Sequence, residues 1–446
     1  MEFKQYPSYK NSSVEWLGDV PEHWESNRLK KYLIERNEKN SPIKTDNLLS
    51  VTMYQGVIPV SEKQGNGGNK PKENLENYKI SYPNDIVLNS MNVIVGSVGL
   101  NKYTGLISPA YYALYNRNKN NNIKFFSYIF HNPFFQKGLF GLGNGIMYKE
   151  SEDGKLNTIR LKIPMEKLNQ VVLPCPSISE QNQIVAFLNT ETTRIDNLIT
   201  KQEKLIELLE EQRKSIISHA VTKGLNPNAP MKDSGVEWLG DVPEHWDVAV
   251  VKRAFIVKLG KMLQPDQKDE TDVIKKYLKA SNLTWDGVKD IDNEMWFSKN
   301  DLKKLKLEIG DLLVAEGGDV GKSCIFDSNE EFYYQNSVNR VRGQKNNANK
   351  FLYYWLFTLK YSGYIDILCN KSTIAHFTAE KLNETILLLP DSVEQNEIIA
   401  YLERENGKIN QLILKQQSLI EKLKEYRTSI ISHAVTGKID VREFGA

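Results

Sequence analysis

The residue sets that could carry out chemistry in this chain are few, and each lacks a member. Gly317–Ser323 reads GGDVGKS, close to a loop whose backbone amides and lysine cradle a nucleotide phosphate. The first glycine of that pattern would fall on Glu316, so a structural glycine turn is expected instead. Gly141-Leu-Gly143-Asn-Gly145 has the glycines of a cofactor loop without a clear strand before it or helix after it. Asn132-Pro133-Phe134-Phe135 lacks the second proline of the Asn-Pro-Pro-aromatic motif of amino-methyltransferases. Pro265-Asp266 and Pro390-Asp391 have no downstream Glu-x-Lys to complete a nuclease metal site. The histidines His23, His131, His219, His245, His376 and His433 nowhere show the i, i+4 spacing of a metal site. Cys175, Cys324 and Cys369 are scattered, unpaired for zinc and odd in number for disulfides. This is the profile of a binding protein, not an enzyme.

Composition narrows the class further. A chain of 446 residues with 40% hydrophobic and 26% charged residues is expected to form two to four soluble globular domains. The start, MEFKQYPSYK, has no apolar leader and no run approaches 18 apolar residues, which predicts a cytoplasmic protein with no membrane partner. Net charge is +2, unevenly spread. Residues 25–178 hold 20 Lys/Arg against 12 Asp/Glu, whereas residues 247–392 hold 21 of each. A locally basic region in a nearly neutral chain predicts a polyanionic partner.

The elements that would position any such partner are written twice. Ser179–Thr222 matches Val393–Thr436 without a gap at an offset of 214 residues, and both copies end in SIISHAVT. In each, a 4-then-3 step picks out a seam: Ile184, Leu188, Glu191, Ile195, Leu198, Gln202, Leu205, Leu209, Gln212, Ile216 in the first. The second gives Ile398, Leu402, Glu405, Ile409, Leu412, Gln416, Leu419, Leu423, Tyr426, Ile430. A sustained 3.5-residue period predicts two coiled-coil helices, which pair most simply with each other in antiparallel fashion. A second repeat, VEWLGDVPEHW, stands at Val14–Trp24 and again at Val236–Trp246. The order is therefore short motif, long divergent domain, long helix, twice over.

The divergent domains keep a faint common skeleton. Gly56–Val57 matches Gly287–Val288, Asp85–Leu88 matches Asp311–Val314, and Gly96–Gly99 matches Gly318–Gly321. Short β-rich runs punctuated by Gly and Asn predict a mixed α/β domain, with Phe125–Phe130 and Phe351–Phe357 as helices packed on its sheet. The predicted fold is two such α+β domains joined by two long antiparallel coiled-coil helices, in a pseudo-twofold internal repeat. The expected boundaries are 1–178 for the first domain and 179–223 for the first helix. They continue with 224–246 for linker and second motif, 247–392 for the second domain, 393–436 for the second helix and 437–446 for a tail.

In order, spacing and duplication, the chain resembles the specificity subunits of type I restriction–modification enzymes. The resemblance implies that each divergent domain is a target recognition domain reading half of a bipartite double-stranded DNA sequence. It implies that the helices hold those domains apart and carry two methyltransferase subunits, with restriction subunits (endonuclease–translocases) completing the assembly. It implies no cofactor in this chain, with S-adenosylmethionine, ATP and Mg in the partner subunits. Base readout needs polar side chains aimed into the major groove. The candidates are Tyr54, Gln55, Asn66, Lys70, Asn89, Ser90, Asn92 and Lys102 in the first domain. In the second they are Lys279, Ser281, Asn282, Lys322, Gln335, Asn336, Arg340 and Lys371. His219 and His433, at the helix ends, are candidate partner-contact residues. The alternative function is a scaffold that joins two copies of a partner and binds no DNA.

Overall fold

The computed structural model describes residues 3–53, 55–63, 74–146, 160–369 and 376–444. Each copy of the long repeat forms one uninterrupted helix, α1 over Ile178–Lys223 and α2 over Ser392–Val435. Neither contains proline, and Gly407 is the single glycine. At 1.5 Å per residue each runs for about 65–70 Å. The chain divides into two compact units, Met1–Gln202 with Ser418–Ala446, and Glu203–Gln417. The division cuts both helices, so each unit holds the start of one and the end of the other.

Within each unit the two helix segments run antiparallel. In the first, Gln183 Nε2 donates to the Arg442 carbonyl, and further along α1 Asp196 pairs with Arg427 at 2.8 Å. In the second, Leu209 packs with Ile409 and Ile413, and Arg213 donates to Asn410 Oδ1. Arg213 and Arg427 are equivalent in the repeat, as are Asn410 and Asp196, so one interhelical contact is built twice.

The seam follows its expected positions at the start of each helix and again at Leu209 and Ile430, but not throughout. Ile184, Leu188 and Ile195 are buried, as are Ile398, Leu402 and Ile409. Beyond them Leu205, Leu412, Leu419 and Tyr426 are exposed, while Leu209, Ile413 and Ile420 are buried and Ile206 is half-buried. An α-helix turns once per 3.6 residues, so a strict 3.5-residue track drifts about 20° per heptad off the contact face. The helices take the neighbouring residue to stay in contact.

Each domain hangs on its helix through the short repeat. Asp19–Pro21 pairs with Tyr9–Asn11, and Asp241–Pro243 pairs with Met231–Asp233, in the same antiparallel register. Each motif then delivers its His-Trp pair to a glutamate in the first helical turn. Trp24 Nε1 donates to Glu180 Oε1 at 3.0 Å, and His23 Nε2 lies 3.0 Å from Oε2. Trp246 Nε1 and His245 Nε2 meet Glu394 Oε2 at 2.9 and 2.8 Å. The next residue bridges back to the domain. Gln181 Nε2 donates to the Pro176 carbonyl and its Oε1 accepts from the Asn122 amide; Gln395 makes the same bonds to Pro390 and Ala348. A carboxylate in the first turn also faces the positive end of the helix dipole.

The domain cores are two copies of one four-stranded antiparallel sheet. In the first unit β1 (Leu33–Glu35), β2 (Ile86–Asn89), β3 (Val98–Leu100) and β4 (Tyr111–Asn116) lie in the order β1-β4-β2-β3. In the second, β5 (Phe255–Leu259), β6 (Leu312–Ala315), β7 (Ser323–Ile325) and β8 (Val338–Gly343) lie in the order β5-β8-β6-β7. The expected helices pack on them over Ile123–Phe130 and Asn349–Tyr361. At the start of β2, buried Asp85 takes a two-bond contact from Arg36 at 2.8 and 3.0 Å. Asp311, before β6, takes one from Arg342 at 2.5 and 2.8 Å. The aspartate is common to both, while its arginine comes from the edge of the sheet in one unit and from the central strand β8 in the other. The second unit adds a three-stranded sheet of Val273–Leu278, Glu294–Phe297 and Tyr333–Tyr334.

Glu180, 4% exposed on its side chain, also accepts from the Tyr6 hydroxyl at 2.6 Å. Burial and that carboxylate push the Tyr6 phenol far above its ordinary range, so it remains a donor. Glu180→Ala leaves buried donors without an acceptor, and urea denaturation should show a loss of about 2–4 kcal/mol. The loss should be smaller for Glu394→Ala, whose carboxylate is partly exposed. An unchanged midpoint for Glu180→Ala would remove the anchor role.

Candidate nucleic-acid interface

The antiparallel register sends several loops to one end of each sheet, away from the helix anchor. In the second unit the ends of β5 and β6 and the start of β8 meet there: Leu259 pairs with Asn339 and Ala315 with Val338. Backbone bonds tie the loops into one array. Asn336 N donates to the Lys261 carbonyl, Glu316 N to Ser337, Gln335 N to Leu278, and Phe377 N to Glu316. The Ala280 amide reaches Ser337 Oγ at 3.0 Å. Lys279, Ser281, Lys322, Gln335 and Asn336 are therefore brought together, although residues 279 to 336 are far apart in sequence.

These residues differ in freedom. Ser281 is exposed, and Lys279, Lys322, Gln335 and Asn336 are half-buried. Lys322 pairs with Asp319 of its own loop at 2.7 Å. That loop is the P-loop lookalike, and its glycines serve the fold. Gly321 has φ +78°, and a Cβ there would lie 2.7 Å from Ile365 Cδ1.

Two candidates in this domain are committed to the interior, which corrects their assignment as base readers. Asn282, 2% exposed, accepts from the Lys279 amide at 2.8 Å and donates to the carbonyls of Lys289 and Asp290. Arg340, 4% exposed, donates to the Lys304 and Lys306 carbonyls and stacks over Tyr334. Polarity marked both in the sequence. What decides against Arg340 is that β8 is an inner strand, so its side chains face either core or covering loops, and against Asn282 that its amide closes the loop between Lys279 and Asp290.

The first unit presents the same end with different residues. Gln55 is exposed in the hairpin between Leu49–Thr52 and Gly56–Pro59, and Asn92 is exposed after β2. That hairpin lies close on β3, where a Cβ on Gly99 would come within 2.8 Å of Gly56 Cα. Ser90 is fully buried and donates to the Ala110 carbonyl at 2.7 Å, so it too is corrected to a structural residue. Asn89 is 8% exposed and accepts from the Met91 amide. Lys102 is exposed but lies beyond β3 at the opposite end of the sheet, because Leu100 pairs with Ile86. Tyr54, Asn66, Lys70 and Lys371 lie outside the described residues.

On the helices, His219 and His433 are exposed, and His433 Nδ1 sits 3.4 Å from Ser429 Oγ. Seam residues off the contact face and their neighbours leave apolar surface open: Leu205, Leu208, Leu412 and Leu414 in the second unit, Leu419 and Tyr426 in the first. Among the described residues no cluster of His, Cys, Asp and Glu is arranged to hold a metal, and no helix is long and apolar enough to cross a membrane.

Comparison with known proteins agrees with this duplicated plan. The profile of the type I restriction modification DNA specificity domain matches residues 245–422. A Methanocaldococcus jannaschii chain named type I restriction enzyme MjaVIII specificity subunit is 26% identical over 283 residues, covering 61% of this chain. The match spans 63% of that relative's length. A second relative from the same archaeon, named for the MjaX specificity subunit, is 23% identical with 99% of both chains covered. Among solved structures, the HsdS subunit from Thermoanaerobacter tengcongensis superposes with a TM-score of 0.55 at 13% identity, covering 94% of this chain and 98% of its own. A chain from a structural study of type I R-M complex assembly and conformational transition reaches 0.67 at 14% identity, covering 94% and 99%.

The split between buried and open candidates is measurable in the protein alone. Arg340→Ala strands two carbonyls and should lower unfolding free energy by about 2–3 kcal/mol in urea titration. Asn336→Ala should stay within about 0.5 kcal/mol of the wild type, as surface changes do. Equal effects would mean that Arg340 does not hold the loops.

Proposed function

We propose that the chain is a specificity subunit of the type I restriction–modification family, as its matches support, with a division of labour among its parts. Each domain reads one half of an asymmetric bipartite DNA target through the major groove, with the loop array at the sheet end as the reading surface. The helix pair sets the spacer between the half-sites and docks two methyltransferase subunits on its exposed apolar residues and near His219 and His433. The chain itself is non-catalytic. S-adenosylmethionine, ATP and Mg act in the partner subunits, and the assembly works in the cytoplasm on double-stranded DNA, with restriction subunits added for cleavage.

One observation carries this reading. The anchors of the two units share their tryptophan–glutamate, histidine–glutamate and glutamine bonds, whereas the loops at the far ends of their sheets carry different side chains. Equal anchors suit two copies of one partner. Unequal loop ends suit two different half-sites, since sequence is read by side chains on base edges and not by the frame.

The direct test is domain exchange. Replacing residues 25–178 with the equivalent region of another family member should change one half of the methylated motif, read by methylome sequencing of cells carrying the whole system. A change in both halves would show coupled readers. No methylated motif, together with no salt-dependent binding of DNA by the complex with methyltransferase, would favour the scaffold instead.

The spacer role has its own test. Inserting seven residues at mid-helix in both copies keeps the helical face nearly in place and lengthens each helix by about 10.5 Å. At about 3.4 Å per base pair, the spacer of the methylated motif should grow by roughly 3 base pairs with both half-sites unchanged. Methylation confined to the original spacer would sink the ruler role.

A further inference from the structure

We propose that Glu316 is a base-reading residue of the second domain, its carboxylate accepting a hydrogen bond from the exocyclic amino group of a cytosine or adenine in the major groove. The inference rests on the DNA-reading role given above.

Glu316 is the residue that breaks the phosphate-loop pattern in the sequence, and the fold places it at the centre of the loop array. It directly follows β6, and its backbone is clamped from both sides, its amide donating to Ser337 and its carbonyl accepting from Phe377. The side chain is half-buried. Asn339 Nδ2 donates to its Oε2 at 3.3 Å and to the Phe377 carbonyl at 3.4 Å, while Asn339 Oδ1 is buried and meets no partner. Among the described residues no Lys or Arg neutralises Glu316; the one ionisable side chain bearing on it is His376, whose ring lies beside Gly317. Burial holds its carboxyl above the ordinary carboxylate range, with the Asn339 bond and His376 opposing.

The contrast with the first unit sharpens the point. Ser90 holds the same place after β2, and its carbonyl likewise accepts from a backbone amide, that of Ile163. Tyr112 stands where Asn339 stands and donates to the Ile163 carbonyl at 3.1 Å, as Asn339 does to Phe377. There the side chain is closed off, because Ser90 spends its hydroxyl on Ala110. In the second unit the same frame carries an acceptor with no cationic partner and an asparagine with an unmet acceptor. Asp85 and Asp311, buried at the starts of β2 and β6, both have cations, and buried Asp272 is met by Gln264 and two backbone amides. A partly desolvated carboxylate without one is costly unless a donor arrives. In the major groove the donors are cytosine N4 and adenine N6, and a carboxylate selects them because it can only accept.

The test uses the full chain assembled with its methyltransferase subunits and equilibrium anisotropy on the cognate duplex. Each cytosine or adenine of the second half-site is replaced singly by 2-pyrimidinone or purine, which lack the amino group. The wild-type complex should lose about tenfold affinity at one position beyond the loss at the others. The Glu316→Ala complex should not single out that position. A variant profile matching the wild type overturns the proposal, as does a wild-type profile with no outstanding position. The wild-type scan needs no folded variant. Absence of any preference for the cognate duplex over scrambled DNA would instead overturn the DNA-reading role itself, and this inference with it.

Discussion

A carboxylate in the first turn of each long helix is the contact on which the rest of this molecule depends. Glu180 and Glu394 each take the indole N–H and the imidazole of a Trp-flanked turn, and the adjacent glutamine ties the helix start to the domain. Apolar packing supplies most of the cohesion around them, with Trp24 and Trp246 fully buried. Packing alone does not fix orientation, since hydrophobic contact is non-directional. The hydrogen bonds do, because a buried indole or carboxylate is satisfied only at one angle. The returning helix closes the same hub: Gly437, at φ +71°, fits against Pro21 and Trp24 as Gly224 fits against Pro243 and Trp246. Each domain is thereby held by the start of one helix and the end of the other.

Given a fixed hub, variation is pushed outward. The sheets keep their order, their buried aspartates and the backbone bonds that pin the loop after β2 and β6. Because the backbone there is satisfied by neighbouring loops, the side chain at that place is free to change without costing the ladder. Serine, tyrosine and isoleucine in one unit become glutamate, asparagine and phenylalanine in the other. The interhelical contact shows the same tolerance: Asp196 facing Arg427 is Asn410 facing Arg213. Both arrangements keep a side-chain oxygen for the guanidinium, and the exposed setting makes the difference in charge cheap.

The sequence by itself determined the plan. Two exact or near-exact repeats fixed the number of domains, the helix pair and the likeness of the two halves, because a repeated pattern at constant spacing demands repeated structure. It also exposed the glycine loop as a turn, since Glu316 stands where a phosphate loop needs glycine. The glutamate–tryptophan anchor lay in plain view, as Trp24 and Glu180 are both within repeats, but nothing in one dimension pairs residues 156 positions apart. Tertiary structure decided which polar residues are free. Arg340, Asn282 and Ser90 read as recognition candidates by type, and the burial of their strands and loops turned them inward. It decided the helix faces too, moving contact from Leu205 and Leu412 to Ile206 and Ile413, because a helix turns every 3.6 residues whatever period the sequence is read with. The place of Glu316 in the loop array is illegible in one dimension for a related reason. A carboxylate in a domain expected to bind a polyanion reads as surface charge, and only the loops folded around it show that it has no cation of its own among the described residues.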